Sequence, residues 1–215
     1  MGQEKIFVIG DLHGCLGMLK NLINIIRWDP SKDRLIFIGD YIDRGEDSQG
    51  VIDFIIKLKE DSPLVQCLIG NHEQMFLDYL SGVDSQSFLF NGGSSTLLSY
   101  RRARKTEQDP LIPSSHLSFL SSLLPMIELD QYYIVHAGFR PNIRIENQDF
   151  FDMIWIRDEF LYSDFDFGKV VIFGHTPFQN PIVMKNKMGI DTGAVYGNCL
   201  TCLELPKKKF HYVRP

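Results

Sequence analysis

Residues 6–14 read IFVIGDLHG, in which four apolar residues run directly into a turn that carries Asp11 and His13. An unbroken apolar run of this length, bounded by glycine, is typical of a buried strand. Four more stretches repeat this arrangement of apolar run and polar turn, namely GDYIDRG at 39–45, GNHE at 70–73, HAG at 136–138 and GHTP at 174–177. Because sites in open α/β sheets form outside the carboxyl ends of the strands, we expect the five turns to converge on one pocket.

The spacing of apolar residues predicts the elements between these turns. In the first half, strands are predicted at 6–9, 35–38 and 64–69 and helices at 16–26, 51–58 and 73–80. This β-α-β-α-β order implies a parallel sheet with helices on its faces. Further strands are predicted at 132–135, 170–173, 182–184, 200–204 and 210–213. We therefore expect an α/β (α+β) fold with two mixed sheets in a sandwich flanked by helices. Residues 1–215 are interpreted as one domain, with a helical insertion or cap around 81–130.

The composition narrows the class of function. Apolar residues make up 44% and charged residues 23%, as in globular proteins. The net charge of −5 disfavours a dedicated nucleic-acid-binding protein, which usually has a basic balance. The polar start at 1–5 has no secretory pattern, and no apolar run approaches the length of a membrane span. We therefore expect a cytoplasmic protein that binds neither membrane nor nucleic acid; the sequence does not predict its oligomeric state.

The five turns together supply the side chains of a metal site. A lone aspartate after a strand is more often a turn former, and a lone histidine is more often packed, but here the residue types recur at five strand ends. Mixed carboxylate, amide and imidazole ligands suit Mn²⁺, Fe or Zn²⁺ better than Mg²⁺ alone. Sharing one carboxylate, six ligands fill two adjacent sites, an arrangement used for in-line displacement at phosphorus by a water activated between the cations. The six candidate ligands are Asp11, His13, Asp40, Asn71, His136 and His175.

Three residues near these ligands suggest the rest of the chemistry. Arg44 follows the Asp40 turn, and its planar guanidinium matches phosphate oxygens. His72 adjoins Asn71 but points elsewhere, so it is available to protonate a leaving alkoxide, with Asp43 favouring its charged form. The alternative is that Asp43 and Arg44 form a structural ion pair and His72 only caps the following helix.

The blocks GDLHG, GDYIDRG, GNHE, HAG and GHTP resemble the signature set of the phosphoprotein phosphatase family of metallophosphoesterases. The similarity is greatest to the compact bacterial and bacteriophage serine/threonine phosphatases. The segments NGG at 91–93 and IDTGA at 190–194 of this chain also resemble theirs. The resemblance implies a calcineurin-like metallophosphoesterase fold with four layers, α/β/β/α.

The resemblance also implies a role for each matching position. It implies two divalent cations, for which Mn²⁺ is expected and Fe, Zn²⁺ and Ni²⁺ are alternatives. One cation would be held by Asp11, His13 and Asp40. The other would be held by Asp40, Asn71, His136 and His175. His72 and Asp43 would form the acid dyad, and the phosphate would be bound by Arg44, Arg157 and Asn71, with Tyr196 bordering the pocket. Arg157 and Tyr196 have simpler interpretations as a surface arginine and a packed aromatic residue.

These observations lead to competing functional hypotheses. The first is a protein serine/threonine phosphatase, a phosphomonoesterase acting on a phosphorylated protein or a small phosphoester. The second is a symmetrical bis(5'-nucleosyl)-tetraphosphatase, a dinucleoside polyphosphate hydrolase, which shares all five blocks and would need extra basic or aromatic positions. The basic run at 101–105 could serve, although such runs more often form a solvated face. A non-catalytic scaffold is disfavoured because every ligand and both dyad positions are intact, and a nuclease is disfavoured by the acidic balance.

Overall fold

The computed structural model describes residues 4–215, which form two five-stranded sheets and eight α-helices. The strands are β1 (Ile6–Ile9), β2 (Arg34–Phe37), β3 (Val65–Cys67), β4 (Met126–Glu128), β5 (Tyr132–Val135), β6 (Val170–Phe173), β7 (Ile182–Val183), β8 (Lys187–Gly189), β9 (Leu200–Leu205) and β10 (Lys209–Val213). The first sheet has the order β10-β9-β1-β2-β3 and the second the order β4-β5-β6-β8-β7. Strands β1, β2 and β3 are parallel, as are β5, β6 and β8.

The helices pack on the outer faces of the two sheets. They are α1 (Leu16–Ile26), α2 (Ser48–Asp61), α3 (Asn71–Ser81), α4 (Gln86–Phe88), α5 (Ser94–Ala103), α6 (Ser114–Ser121), α7 (Phe150–Trp155) and α8 (Asp158–Leu161). The predicted parallel β-α-β-α-β order of the first half is confirmed, with bounds that differ by a few residues. Strands β4 and β8 and helices α7 and α8 were not predicted; they span three to six residues, too few to show a period.

Alternation along the strands explains the layers. In β1, Val8 packs between the sheets with Ile134 and Ile172 of the second sheet, whereas Phe7 and Ile9 pack on the opposite face with α1 and α2. A separate cluster joins the outer face of the second sheet to α7 and α8. The central strands of each sheet are therefore buried on both faces, which is why β1, β2, β5 and β6 are mainly apolar. The predicted fold class, a four-layer α/β/β/α arrangement of two mixed sheets, is confirmed.

Residues 81–130 contain α4, a π-helical turn at Leu89–Gly93, α5, α6 and β4. Helix α5 packs on α2, where the hydroxyl of Ser99 accepts a hydrogen bond from the backbone N–H of Gln49 at 3.0 Å. The amino-terminal end of α5 lies against the turn that follows β2, where the hydroxyl of Thr96 accepts a hydrogen bond from the backbone N–H of Asp43 at 2.9 Å. Within residues 4–215, no helix combines the length and apolar character needed to cross a membrane.

Candidate active site

The five polar turns meet at the carboxyl ends of β1, β2, β3, β5 and β6. Two groups of side chains have ligand atoms within 4.8 Å of one another, and Asp40 belongs to both. The first group is His13, Asp40 and His72, and the second is Asp40, His136 and His175. Asn71 joins the second group, since its Oδ1 lies 3.1 Å from His136 Nε2 and 2.9 Å from His175 Nδ1. Asp40 is thus the one side chain that the two groups have in common among the described residues.

The position of Asp40 is fixed by the buried carboxylate of Glu73. Its Oε2 accepts hydrogen bonds from the backbone N–H groups of Asp40 at 2.8 Å and Gly70 at 3.0 Å, and its Oε1 from that of Tyr41 at 2.8 Å. The turn also requires Gly39, which has φ +107° and where a Cβ would lie 2.6 Å from the backbone nitrogen of Gly70. Two polar turns are therefore tied together before any ligand binds.

Hydrogen bonds set the tautomers of two predicted ligands. Nδ1 of His13 donates to the carbonyl of Ile42 at 2.8 Å, and Nδ1 of His136 donates to that of Ile38 at 2.9 Å. In both rings Nε2 therefore carries a lone pair, and each Nε2 lies 3.4 Å from an oxygen of Asp40. At His136, whose Nε2 also lies 3.1 Å from Oδ1 of Asn71, such facing of lone pairs is unfavourable without a cation, whereas Nε2 of His13 also accepts a hydrogen bond from Arg44. Backbone-oriented imidazoles of this kind are typical of metal sites.

Asp11 supplies a second sign that the residues fit a metal. It lies outside the two groups above; its Oδ2 accepts from the N–H of His175 at 3.0 Å, while its Oδ1 is buried with no hydrogen-bond partner among residues 4–215. Burial raises the pKa of Asp11 well above its usual range, and the carboxylates of Asp191 and Asp40 raise it further. An orphaned buried carboxylate oxygen is costly, and a divalent cation would satisfy it.

The protonation states of the histidines also suit metal binding. Burial lowers the pKa of His13 to about 3 and that of His175 to about 2. For Asp40, burial raises the pKa, but the surrounding imidazoles, that of His136 foremost, bring it below its usual range. At neutral pH the site therefore presents neutral imidazoles and an ionised carboxylate, the forms that bind divalent cations.

His72 and Asp43 form a buried pair next to this cluster. Nδ1 of His72 lies 2.6 Å from Oδ2 of Asp43, and both side chains are almost fully buried. Burial raises the pKa of Asp43, whereas its hydrogen bonds with His72 and with Thr96 lower it. No ion pair joins Asp43 to Arg44 within the described part of the chain. The structure thus brings the two predicted dyad residues together, with Nε2 of His72 directed towards Asp40 at 4.0 Å.

Both arginines predicted to bind phosphate donate hydrogen bonds to histidines of the cluster. Nη1 of Arg44 donates to Nε2 of His13 at 2.6 Å, and Nε of Arg157 donates to Nε2 of His175 at 3.1 Å. Both arginines are solvent-exposed as residues, so an anion can reach them. The ring of Tyr196 lies 5.8 Å from the Arg44 guanidinium and is 64% exposed, at the rim rather than in the core.

Backbone strain concentrates on the candidate site. Left-handed φ values occur at His13 (42°), Asp40 (52°), Asp43 (70°), Arg44 (68°) and His175 (64°). Such a conformation costs on the order of 1–3 kcal/mol per residue outside glycine, so the surrounding contacts must enforce it. Strained residues of this kind cluster at functional sites.

Sequence reasoning missed two residues of this site. Glu73 stands in the GNHE block but received no role; its place at the third position of α3, three residues after Gly70, marks a helix-capping carboxylate and could have revealed it. Thr96 has no local signal, because its partner Asp43 lies 53 residues earlier in the chain.

Comparison with known proteins shows the family. The family model described as Calcineurin-like phosphoesterase matches residues 4–198. The chain belongs to this family of metallophosphoesterases, and it is a hydrolase of phosphoesters that uses divalent metal ions. The resemblance to bacterial phosphoprotein phosphatases is thereby confirmed.

Individual relatives carry two different descriptions. The chain is 33% identical to "Serine/threonine-protein phosphatase 1" of Salmonella typhimurium, over 92% of this chain and 90% of that protein. It is 28% identical to "Bis(5'-nucleosyl)-tetraphosphatase PrpE [asymmetrical]" of Oceanobacillus iheyensis, over 96% of this chain and 90% of that protein. A crystal structure described as a putative diadenosine tetraphosphatase superposes with a TM-score of 0.78 at 21% identity, covering 98% of this chain and 93% of that one. The last similarity bears on the fold alone.

Proposed function

We propose that this chain is a protein serine/threonine phosphatase, a phosphomonoesterase that releases phosphate from phosphoserine and phosphothreonine. The observation that carries the proposal is the buried pair of His72 and Asp43, 2.6 Å apart beside the cluster around Asp40. Serine and threonine leave as alkoxides, which are poor leaving groups and need a proton in the transition state. The similarity to the Salmonella phosphatase over most of the chain supports the same assignment.

The side chains divide the reaction among them. Arg44 and Arg157 bind the phosphoryl oxygens from two sides of the site, as planar donors suited to phosphate. Water adds to phosphorus in line with the leaving oxygen, the P–O bond to the substrate breaks, and His72 gives its Nε2 proton to the departing oxygen. Asp43 stabilises the imidazolium before that transfer. The products are the free hydroxyl side chain and inorganic phosphate.

The metal ligands proposed for this chain are the six predicted from the sequence. Asp11, His13 and Asp40 are assigned to one cation, and Asp40 with Asn71 and two histidines to the other; the two histidines are His136 and His175. Divalent cations held there would neutralise charge on the phosphoryl oxygens and lower the pKa of the attacking water. Mn²⁺ is the proposed ion because the ligands mix oxygen with imidazole nitrogen, and Fe, Zn²⁺ and Ni²⁺ are alternatives.

A second candidate is the hydrolysis of dinucleoside polyphosphates. The PrpE relatives favour it, although they are described as asymmetrical hydrolases, whereas the sequence hypothesis concerned the symmetrical kind. A specific feature of the structure also favours it: Phe151 stacks on Trp155 at 5.9 Å, and Trp155 lies 5.9 Å from His175. Phe151 is 64% exposed, so its ring could take a nucleobase.

The two candidates are separated by a side-by-side assay of the Mn²⁺-loaded enzyme on a phosphothreonine peptide and on diadenosine tetraphosphate. Efficient release of phosphate from the peptide with slow nucleotide cleavage supports the phosphatase proposal, and the reverse preference overturns it. If the nucleotide is cleaved, chromatography of the products distinguishes equal from unequal nucleotide fragments.

Phe151→Ala sharpens the same comparison. If a base stacks on Phe151, its loss should lower kcat/KM for the dinucleotide by about 10–100-fold, since base–aromatic stacking contributes roughly 1–3 kcal/mol. Under the phosphatase proposal, we expect the peptide kcat/KM to stay nearly unchanged. Tyr162→Ala, which removes another exposed aromatic ring, serves as the matched control.

Arg157→Ala tests the second phosphate-binding position. We expect kcat/KM for the peptide to fall by about 10–100-fold, because a hydrogen bond to a charged group contributes roughly 1.5–3 kcal/mol. The inhibition constant for inorganic phosphate should rise in parallel, while the melting temperature should stay the same because the side chain is exposed. Arg144→Ala, at an exposed arginine paired with Glu146, is the control. Unchanged phosphate inhibition would make Arg157 a surface residue only.

A further inference from the structure

The carboxylate of Asp43 has a second partner on the side away from His72. Its Oδ2 lies 2.6 Å from His72 Nδ1, and its Oδ1 lies 2.6 Å from the hydroxyl oxygen of Thr96. All three side chains are buried, at 1% exposure or less. Thr96 belongs to α5, within the segment for which the sequence predicted only an insertion or cap.

The hydrogen bonds around Thr96 have only one consistent direction. The backbone N–H of Asp43 donates to the Thr96 hydroxyl oxygen at 2.9 Å and lies 3.1 Å from that of Ser48. An ionised carboxylate only accepts, so the single hydroxyl hydrogen of Thr96 points to Oδ1 of Asp43. The Ser48 hydroxyl, 3.0 Å away, is then left to donate to Thr96. Thr96 therefore holds both the backbone and the carboxylate of one residue.

This double contact acts where the backbone is strained. Asp43 and Arg44 both have left-handed φ values, 70° and 68°. The N–H of Arg44 donates to the carbonyl of Gly92 at 3.3 Å, and a Cβ at Gly92, which has φ +102°, would lie 2.9 Å from Arg44 Cγ. The turn before α5 and the first part of α5 thus contact Asp43 and Arg44, the two consecutive residues proposed for proton transfer and phosphate binding.

The hydroxyl of Thr96 has a rigid support. Further along α5, the hydroxyl of Tyr100 is hydrogen-bonded to Nδ1 of His116 at 2.8 Å, and Nε2 of His116 contacts Asp53 of α2 at 2.7 Å. Tyr100 and His116 are buried. This chain of contacts joins α5, α6 and α2. A group on such a braced helix keeps its position better than one on a loop.

We propose that Thr96 is a positioning residue of the acid dyad. Its hydroxyl holds the Asp43 carboxylate in the rotamer that presents Oδ2 to Nδ1 of His72, which keeps Nε2 of His72 directed at the leaving oxygen. The helical segment 81–130 is then part of the catalytic apparatus through α5. This inference rests on the proposed general-acid role of His72.

Thr96→Val is the direct test, because it removes the hydroxyl and keeps the shape. We expect kcat for a phosphothreonine peptide to fall by about 10–100-fold, as is typical when a group that orients a metal-binding side chain is lost, with little change in KM. For p-nitrophenyl phosphate, whose leaving group departs without a proton, kcat should fall much less. Thr96→Ser, which restores the hydroxyl, should recover most of the peptide activity, and bound metal should be unchanged in both variants.

A buried hydroxyl with a purely structural role would give another pattern. Equal losses on the peptide and the aryl phosphate, or a Thr96→Ser variant as impaired as Thr96→Val, would overturn the inference. If the valine variant does not fold, as judged by its melting curve, Thr96→Ala removes the same hydroxyl without adding a methyl group. His72→Asn is measured in parallel. If His72→Asn loses far more kcat on the peptide than on the aryl phosphate but Thr96→Val does not, only the role of Thr96 is wrong. If His72→Asn itself shows no such difference between the two substrates, the general-acid proposal is wrong.

Discussion

Replacing His72 by asparagine is expected to lower kcat for a phosphothreonine peptide by about 10²–10⁴-fold, the usual contribution of a general acid. The loss should be much smaller for p-nitrophenyl phosphate, because p-nitrophenolate departs without a proton. The measurement is kcat for a series of phosphomonoesters whose leaving groups differ in pKa. A steeper dependence on leaving-group pKa in the variant than in the wild type is the expected signature.

Two control variants make this result specific. His211 is also paired with a carboxylate, that of Glu204 at 2.9 Å, but it lies in edge strand β10, so His211→Asn should leave kcat unchanged. Asp43 acts through His72, so the double variant Asp43→Asn/His72→Asn should be hardly slower than His72→Asn alone. Bound metal, measured by atomic absorption, should stay at the wild-type level. Equal losses for all leaving groups would exclude proton donation by His72.

The strand-end residues were predictable because local pattern and topology agree at each of them. Asp11 and His136 both follow an apolar run that forms a buried strand, β1 and β5. In parallel arrangements such strand ends meet at one edge, so five local patterns sufficed to predict one pocket. The fold class followed from the same alternation of periods.

What remained hidden depends on contacts between distant parts of the chain. Thr96 and Asp43 are far apart in sequence, and no local spacing relates a threonine on one helix to an aspartate after β2. Lys187 is a second example, because a lysine predicts an exposed position. Its side chain is instead buried, and its ammonium group donates to backbone carbonyls at and just after the end of α8, including that of Ser163 at 2.7 Å. This lysine is a further reason, beside the length of only three residues, why strand β8 was not predicted.

Asp40→Asn is expected to weaken both cation sites, since Asp40 is the one side chain common to the two ligand groups. Even outer partners of metal ligands are worth about 10–100-fold in affinity, so loss of a shared carboxylate should exceed that. Asparagine is the appropriate replacement because it tolerates the left-handed backbone, here φ 52°, so the apo protein should still fold. The measurement is the Mn²⁺ content after dialysis, with isothermal titration for the affinities.

A thermal readout makes the same prediction independent of turnover. A ligand at 100 times its dissociation constant stabilises the folded state by about 2.7 kcal/mol, so Mn²⁺ should raise the melting temperature of the wild type. Asp40→Asn should lose most of that rise. Asp11→Asn, which removes a carboxylate assigned to one cation only, should lose part of it and keep about one ion per chain.

The comparison between the two variants decides whether Asp40 is shared. If Asp40→Asn retains two tightly bound ions, the shared role is wrong and the short distances from Asp40 to His13 and His136 reflect packing alone. If both variants lose a single ion, Asp40 serves one cation and another oxygen must complete the second site. A carboxylate that Glu73 holds between two cations predicts one outcome: Asp40→Asn loses both bound ions, and Asp11→Asn loses one. In that case the Glu73 contacts that fix the Asp40 backbone would also hold its carboxylate in place for both metal ions.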